Sequence, residues 1–453
     1  MIDTAPPSKS RDAGQMKTIH WMGLSLCVPL DWEIRRHGIS PDAGSLVFVD
    51  HRVQRMELIW QRPAKEPDLN RTMDHAVDSV RNSHPDSHIT THLPSRISGW
   101  QGFVYGDAPR IYRALSYHPQ YNVLLHATLT LDGSREETHA GIREILGPLT
   151  VDEAPDKATH WRAFGIDCRV PDAWTLLEAK VKPMDVRLKF DCGNQRRVSN
   201  TRSICEIRRM GMARDWFDGD LFSFAKRRAT GKDPHVVTEA EGHREILKVD
   251  AAQGRFFFLG SFGPKDRQQL RVWHAPEANS MFVVSLSHPG LGGVNLDALR
   301  VESCTDLLSV AAPEEAAPQE AFASPSAFPR TEPAKGDPLL DAVPLRNQEV
   351  TLERKGEGAV LRAPLRKRWW MKPPVGWFFP FRDTRGFGVD TYGMEVWEAC
   401  DGVQSIKRIC ERFAAAHAVS FGEARVSVYQ FLQTLTKREL IVIQVAQEPR
   451  EPS

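Results

Sequence analysis

The sequence predicts an α+β multidomain protein, with two tandem α/β-sandwich-like repeats followed by a smaller unit of three strands and three helices. A repeated strand and helix pattern, a Pro/Ala-rich break and three well-capped helices near the C-terminus support this prediction. We expect a disordered N-terminus at 1–15, repeats at 16–152 and 153–310, a linker at 311–344, and a last domain at 345–447.

Composition excludes intrinsic disorder for the chain as a whole. Of its 453 residues, 41% are hydrophobic and 26% are charged, as in ordinary globular proteins. The formal net charge is only +1, so any electrostatic partner must be recognised by a local patch.

The cysteines argue against metal clusters and disulfides. There are seven, an odd number, and none lies in a C-x-x-C motif. The N-terminus has no apolar signal region, and no run of about 18 apolar residues offers a membrane span. We therefore expect a cytoplasmic protein without a metal, a cofactor or a membrane span.

Two pairs of motifs indicate the internal repeat. "HWMGLSLCVPLDW" at 20–32 is echoed by "HWRAFGIDCRVPDAW" at 160–174, and "YHPQYNVLLHATLTL" at 117–131 by "WHAPEANSMFVVSLS" at 273–287. Between them each copy has strand candidates (45–50 and 55–60; 186–191 and 203–209) and a helical stretch (69–82; 215–228). Closing helices are predicted at 135–146 and 295–308.

This strand and helix order, with Pro-x-x-Trp after the first strand, weakly resembles the PsbP-like α/β/α sandwich, a fold used mainly for binding. The repeated histidines, His20 with His160 and His118 with His274, occupy matching places in both copies. We interpret them as structural, since no Asp or Glu accompanies them at a fixed spacing. No G-x-S-x-G, P-loop or H-E-x-x-H motif occurs, so no catalytic residue is assigned.

The C-terminal pattern is more definite. Residues 350–365 predict a hairpin and 386–390 a third strand. Asp390 is the expected cap of a first helix that ends at Asp401-Gly402, and a second helix starts at Ser405. A capping box, Ser420-Phe-Gly-Glu423, opens the third helix, and "LIVIQV" closes the unit as a strand.

Residues 346–447 resemble the PqqD-like family through the Val-Asp entry, a small residue before Val-Trp, the Asp-Gly stop and the long third helix. The resemblance implies a winged-helix-like fold that recognises precursor peptides of ribosomally made, enzymatically modified products. It also implies that a leader peptide adds as a strand to the third strand. Carried over by position, the peptide-binding residues are Gly386, Phe387, Gly388 and Val389 at the edge, with Arg425, Tyr429 and Gln433 as the groove wall.

An aromatic and basic segment, "RKRWWMKPPVGWFFPFRD" at 366–383, interrupts the family pattern between the second and third strands. It is too short and too rich in proline to span a membrane. Covering the domain core is the favoured interpretation, and a docking lip, an interfacial anchor and single-strand nucleic-acid binding stay open.

These observations together predict a non-enzymatic peptide-binding chaperone that presents a precursor or leader peptide to a modifying enzyme acting in trans. A winged-helix DNA-binding regulator is one alternative, although the third helix has no basic stripe and no nucleic-acid partner is expected. A cryptic enzyme in the N-terminal repeats, using His118 or His274, is another.

Overall fold

The computed structural model describes residues 15–91, 97, 99–106, 109–132, 135–151, 158–193, 203–229, 232–241, 244–253, 266–289, 296, 299–304, 337–355, 358–364 and 384–444. These residues form twenty-five strands and seven α-helices. Two compact units divide the chain: residues 1–335 with 418–422, and residues 336–417 with 423–453. The predicted disordered N-terminus, most of the linker and the whole 366–383 segment lie outside the described residues.

The first half of the N-terminal unit contains ten strands and two helices. In chain order they are β1 Met16–Trp21, β2 Leu24–Pro29, β3 Glu33–His37, β4 Ala43–Val49, β5 Gln54–Gln61, α1 Leu69–Ser83, β6 Ile89–Thr90, β7 Gln101–Tyr105, β8 Arg110–His118, β9 Val123–Leu131, α2 Arg135–Leu146 and β10 Thr150–Val151.

The second half has a similar series. It comprises β11 Ala158–Ala163, β12 Ile166–Pro171, β13 Thr175–Lys182, β14 Asp185–Asp191, β15 Ile204–Gly211, α3 Ala213–Trp216, α4 Leu221–Arg228, β16 Lys232–Glu241, β17 Arg244–Gln253, β18 Asp266–Ala275, a 3-10 turn Pro276–Ala278, β19 Ser280–Pro289 and β20 Arg300–Ser303.

These strands form three antiparallel sheets. Two seven-stranded sheets have the orders β3-β4-β5-β9-β8-β7-β6 and β13-β14-β15-β19-β18-β17-β16. A six-stranded sheet, β10-β2-β1-β11-β12-β20, takes strands from both halves, and β1 pairs with β11 at His20 and Arg162. The two predicted N-terminal repeats therefore share one sheet and belong to one compact unit.

Local sequence explains the hairpins of the shared sheet. Burial alternates residue by residue along β1 and β2, as expected for strands with one face on a core. Met22-Gly23 and Phe164-Gly165 form the two hairpin turns, and all four residues have positive φ. Two-residue turns with positive φ at both positions match the twist of paired strands.

One hydrophobic core joins the halves. The Trp21 side chain is fully buried, and its ring meets Trp161 at 5.2 Å and Phe164 at 5.5 Å between centroids, both edge to face. Trp32 and Trp174, the tryptophans of the two Pro-x-x-Trp motifs, are also buried. Their backbone N–H groups donate to Pro29 and Pro171 at 3.0 and 2.9 Å.

Two helix predictions for this unit need correction, since the stretch at 215–228 is divided between α3 and α4, and the closing helix of the second half is wrong. Residues 295–308 were expected to be helical, but Arg300–Ser303 form β20 and pair with β12 from Ile166 to Arg169. Pairing with a distant strand overrides the local helical pattern, as often happens for short segments.

The C-terminal unit contains β21 Val343–Arg346, β22 Thr351–Lys355, β23 Gly358–Pro364, β24 Thr384–Val389, α5 Thr391–Ala399, α6 Ile406–His417, α7 Phe421–Lys437 and β25 Ile441–Gln444. Strands β22, β23 and β24 form one antiparallel sheet, and β21 pairs with β25 in another. Four of these strands correspond to the predicted hairpin, third strand and closing strand, and β21 is a fifth. Strand β21 was missed because its first two residues were assigned to the linker.

Candidate functional site

The edge strand β24 carries the predicted peptide-binding residues Gly386, Phe387, Gly388 and Val389. Within the described chain β24 pairs only with β23, with Phe387 opposite Leu361 and Gly388 opposite Val360. Alternate residues of an antiparallel edge strand direct their N–H and C=O groups away from the neighbouring strand. This side of β24 can therefore form a ladder with an added strand.

Glycine leaves the outer part of β24 open. Gly386 and Gly388 are both exposed, whereas Val389 is buried. A Cβ built on Gly388 has no other atom within 4 Å. An incoming backbone can approach this position closely.

Helix α5 begins directly after the edge strand and is locked to it. Asp390 caps the helix, and its Oδ1 accepts a hydrogen bond of 2.8 Å from the backbone N–H of Gly393. A Cβ on Gly393 would lie 2.5 Å from Cγ1 of Val389 and 2.8 Å from Cε2 of Phe431. Only glycine allows β24, α5 and α7 to meet at this distance.

Helix α7 presents three different faces. Its core stripe is buried, with Ala424, Val428, Leu432 and Leu435 each at most 1% exposed. The spacing of apolar residues in the sequence also places Phe431 on this stripe, but Phe431 is half-buried and packs beside Gly393. It belongs to the flank that faces β24.

Arg438 extends this flank. Its Cζ lies 4.0 Å above the ring centroid of Phe387, a cation–π contact between the end of α7 and the edge strand. Arg438 directly follows Lys437, the last residue of α7, and comes seven residues after Phe431. We call Phe431, Arg438 and the edge residues 386–389 the β24–α7 groove.

The opposite flank of α7 carries the three residues predicted to form the groove wall. Arg425, Tyr429 and Gln433 follow one another at intervals of one turn. The Tyr429 hydroxyl donates a 2.8 Å hydrogen bond to Oδ2 of Asp337. Burial, with a further effect of this carboxylate, raises the pKa of Tyr429 far above its ordinary value.

The structure therefore brings the predicted edge together with Phe431 and Arg438, and it places Arg425, Tyr429 and Gln433 elsewhere on the helix. A seven-residue spacing from Phe431 could have pointed to Arg438, but Phe431 looked like a core residue. The 366–383 segment, which ends next to β24 in the sequence, lies outside the described residues.

The two cysteines of this unit are packing residues. Cys400 and Cys410 are fully buried, and Cys400 Sγ donates to the carbonyl of Val396 at 3.2 Å. Burial raises the pKa of each thiol to about 12, which keeps both protonated at neutral pH.

The repeated histidines of the N-terminal unit occupy different environments. His20 and His160 stack with their ring centroids 4.0 Å apart. Nε2 of His160 lies 2.7 Å from Oδ1 of Asp167, so this histidine has an acidic neighbour in the folded chain. The pKa values of His118 and His274 are lowered by burial.

The described part of the chain contains no group of three His, Cys, Asp or Glu side chains placed to hold a metal ion. None of its helices is both long and apolar enough to cross a membrane.

Comparison with known proteins identifies one region. Residues 379–441 match the family model of coenzyme PQQ synthesis protein D (PqqD), so the C-terminal unit contains a PqqD-like domain. The matched residues include the edge of β24 and all of α5, α6 and α7. No curated protein and no solved structure matches the chain, and the PsbP-like resemblance of the N-terminal half is not shown.

Proposed function

We propose that the PqqD-like domain captures a precursor or leader peptide by β-strand addition to β24 and presents it to a modifying enzyme on another chain. The open edge of β24, flanked by Phe431 and Arg438, is the observation that carries this proposal. Main-chain hydrogen bonds supply affinity in this mode of recognition, and side-chain pockets supply specificity.

The groove favours particular side chains on the peptide. Phe431 offers a half-buried ring beside the glycine edge, which suits an apolar residue. Arg438 holds a guanidinium above Phe387, which suits an acidic residue near that end of the strand. A peptide that alternates outward-facing polar residues with inward-facing apolar ones fits both.

We also propose that residues 16–151 and 158–304 are two copies of one α+β unit. The two seven-stranded sheets follow the same order, and equivalent tryptophans make the same turn to a proline carbonyl. Asn122 and Asn279, which open matching strands, both have positive φ, a conformation that asparagine tolerates. In this proposal the N-terminal unit binds another protein. The linker joins this unit to the peptide-binding domain, so it raises the effective concentration of the peptide near that protein.

The state of the cysteines bears on the cellular compartment in which we propose that the protein resides. All seven are free thiols, which supports a reducing, cytoplasmic compartment. We propose that the whole chain binds its partners and does not catalyse a reaction.

Calorimetry with the full chain tests the capture of a peptide. Synthetic peptides copied from the N-terminal segments of small reading frames beside the gene are the probes. Phe387→Pro should abolish or strongly weaken binding, because proline removes a backbone donor and distorts the edge. Thr351→Pro is the matched control, at the first residue of β22 on the other edge of the same sheet.

Side-chain variants separate the two flanks of α7. Arg438→Ala and Phe431→Ala should each raise the Kd, Arg438→Ala by about twofold to fivefold because Arg438 is exposed. Gln433→Ala and Tyr429→Phe should leave the Kd unchanged. Tight binding that survives Phe387→Pro refutes strand addition, and weakening confined to Gln433 and Tyr429 moves the groove to the other flank.

A further inference from the structure

The second seven-stranded sheet of the N-terminal unit has a charged surface beside helix α4. Helix α4 packs on this sheet through Phe224, which shares a buried cluster with Met210 of β15. Met210 is in register with Asp185 of β14, and successive residues of a strand alternate between its two faces. Asp185, Arg187 and Lys189 of β14 therefore lie on the same face of the sheet as the helix, and all three are half-buried.

Three cations lie directly opposite one another across neighbouring strands of this face. Arg187 of β14 is in register with Lys180 of β13 on one side and with Arg208 of β15 on the other. Cβ atoms of such pairs lie about 4.5–5.5 Å apart, and like charges at this distance are destabilising. Lys180 has a carboxylate of its own, Glu178, at 2.6 Å. The two arginines share Asp185, which accepts from Arg208 Nε at 2.6 Å and from Arg187 Nη2 at 2.8 Å.

A further guanidinium reaches this surface from the end of α4. Nη2 of Arg228 lies 3.4 Å from Sδ of Met210, and its Cζ lies 5.1 Å from the ring centroid of Phe224. No carboxylate of the described chain forms an ion pair with Arg228. Burial, followed by the charges of Arg208 and Arg187, lowers the pKa of this guanidinium. Repulsion by the two neighbouring arginines thus exceeds the attraction of the nearby carboxylates, and an anion bound here would relieve it.

The first three strands of the other seven-stranded sheet carry a balanced pair instead. Arg36 of β3 and Glu57 of β5 are both in register with Val47 of β4, which lies between them. The Arg36 guanidinium meets the Glu57 carboxylate at 2.7 Å. A row of like charges is therefore not a requirement of this type of sheet.

An exposed indole borders the same charged surface. The ring of Trp216 is 44% exposed and lies 5.8 Å from the ring of Phe224, against which Arg228 also packs. Nε1 of Trp216 donates to the carbonyl of Gly211 at 3.0 Å, which fixes the orientation of the ring. Trp and Arg are the residue types that most often anchor protein interfaces. The residues that we call the α4 surface are Trp216, Arg228, Arg208, Arg187, Lys189 and Lys180.

We propose that the α4 surface binds an acidic segment of a partner protein. Carboxylates of the segment pair with the guanidinium groups in the bidentate geometry that arginine favours, and an apolar side chain packs on Trp216. The carboxylates of Glu178 and Asp185 stand among the cations and would repel the unbroken charge of a nucleic-acid backbone or an anionic membrane, which favours a segment with separated charges. This inference rests on the protein-binding role proposed for the N-terminal unit and is independent of peptide capture by β24.

Calorimetry with the full chain provides the test, and the probe is a synthetic octapeptide in which four glutamates surround a central phenylalanine. The same peptide with four glutamines should bind about tenfold more weakly. The double variant Lys189→Gln, Arg228→Gln should raise the Kd by about threefold to tenfold, and it breaks no ion pair within the described chain. Arg35→Gln, Arg71→Gln is the matched control, because it removes two exposed cations of the first half and should bind as the parent does.

The indole of Trp216 gives a second readout. In ¹⁵N spectra of tryptophan-labelled protein, its Nε1–H signal, assigned with Trp216→Phe, should shift on addition of the glutamate peptide. No heat up to about 1 mM peptide, equal affinity for the glutamine peptide, or an unmoved Trp216 signal would overturn the proposal. An unchanged Kd in the Lys189 and Arg228 double variant would overturn it equally.

Other outcomes would assign the surface or the role differently. Tighter binding of a thymidine octanucleotide or of phosphatidylserine vesicles than of the glutamate peptide would overturn the choice of a protein segment. If a protein encoded beside the gene binds the parent and the double variant equally, the protein-binding role stands and the α4 surface is wrong. Titration with leader peptides and Phe387→Pro measures capture at β24 separately, so the two proposals can fail independently.

Discussion

Gly393→Ala should destabilise the packing of β24, α5 and α7 that forms the β24–α7 groove. The added Cβ would lie 2.5 Å from Val389 Cγ1 and 2.8 Å from Phe431 Cε2, both inside normal contact distance. Overpacking of this kind costs about 1–3 kcal/mol. Alanine recovers up to about 1 kcal/mol through its better helix propensity. The expected net loss of stability is about 1–2 kcal/mol.

Hydrogen exchange read by mass spectrometry on the full chain measures this loss where it occurs. A net loss of about 1–2 kcal/mol corresponds to roughly fivefold to thirtyfold faster exchange of the amides in α5 and α7 that open with the domain. Peptides from β14 and β15 in the other unit should exchange as before.

Gly388→Ala is the matched control for the same backbone edge. Its new Cβ meets no atom within 4 Å, and its φ is not positive, so stability should change by less than about 0.5 kcal/mol. Equal exchange rates in the two variants would refute the idea that Gly393 sets the distance between β24, α5 and α7.

Two further predictions concern the N-terminal unit. Burial lowers the pKa of His126 from 6.5 to about 4, so the unfolded chain binds the proton first as pH falls. His126 should therefore contribute about 3 kcal/mol to the stability that urea unfolding shows to be lost between pH 6.5 and 4, and His126→Gln should make the slope shallower by that amount. An identical pH dependence in both proteins would contradict the assignment to His126. Arg209 is fully buried and donates to Ser280 Oγ at 3.2 Å and to the Phe164 carbonyl at 3.4 Å, so Arg209→Leu should cost about 2 kcal/mol or more in the same assay. Arg208→Leu, its half-buried neighbour paired with Asp185, should cost less than about 1 kcal/mol, and a reversed ranking would argue against the buried guanidinium as a stabilising link.

Local signals in the sequence predicted elements well where the residues themselves decide the structure. Asp390 caps α5 as expected, with its carboxylate on the N–H of Gly393. The stretch at 69–82 is helical as α1, where Asp68 accepts from the backbone of Arg71. Caps act over three residues, so a single sequence contains the whole interaction.

Elements that depend on distant partners were harder to predict. Strand β21 is short and is defined by pairing with β25, about a hundred residues later, and β20 is defined by pairing with β12. Neither strand has a length or an alternation that would identify it alone. The α4 surface likewise combines residues of three strands and two helices, so no local motif points to it.

The groove shows how one ambiguous residue redirects a functional assignment. Phe431 fits the apolar stripe of α7, and counting it as core moves the inferred groove wall to Arg425, Tyr429 and Gln433. In the structure Phe431 packs against Gly393, and Arg438, just after the end of α7, lies over the ring of Phe387. Since Tyr429 already donates to Asp337, its hydroxyl has a structural partner within the domain. The side chains placed to read a peptide on β24 are therefore those at the boundary of the core stripe, where an apolar ring is only half-buried and a cation is held against the edge strand.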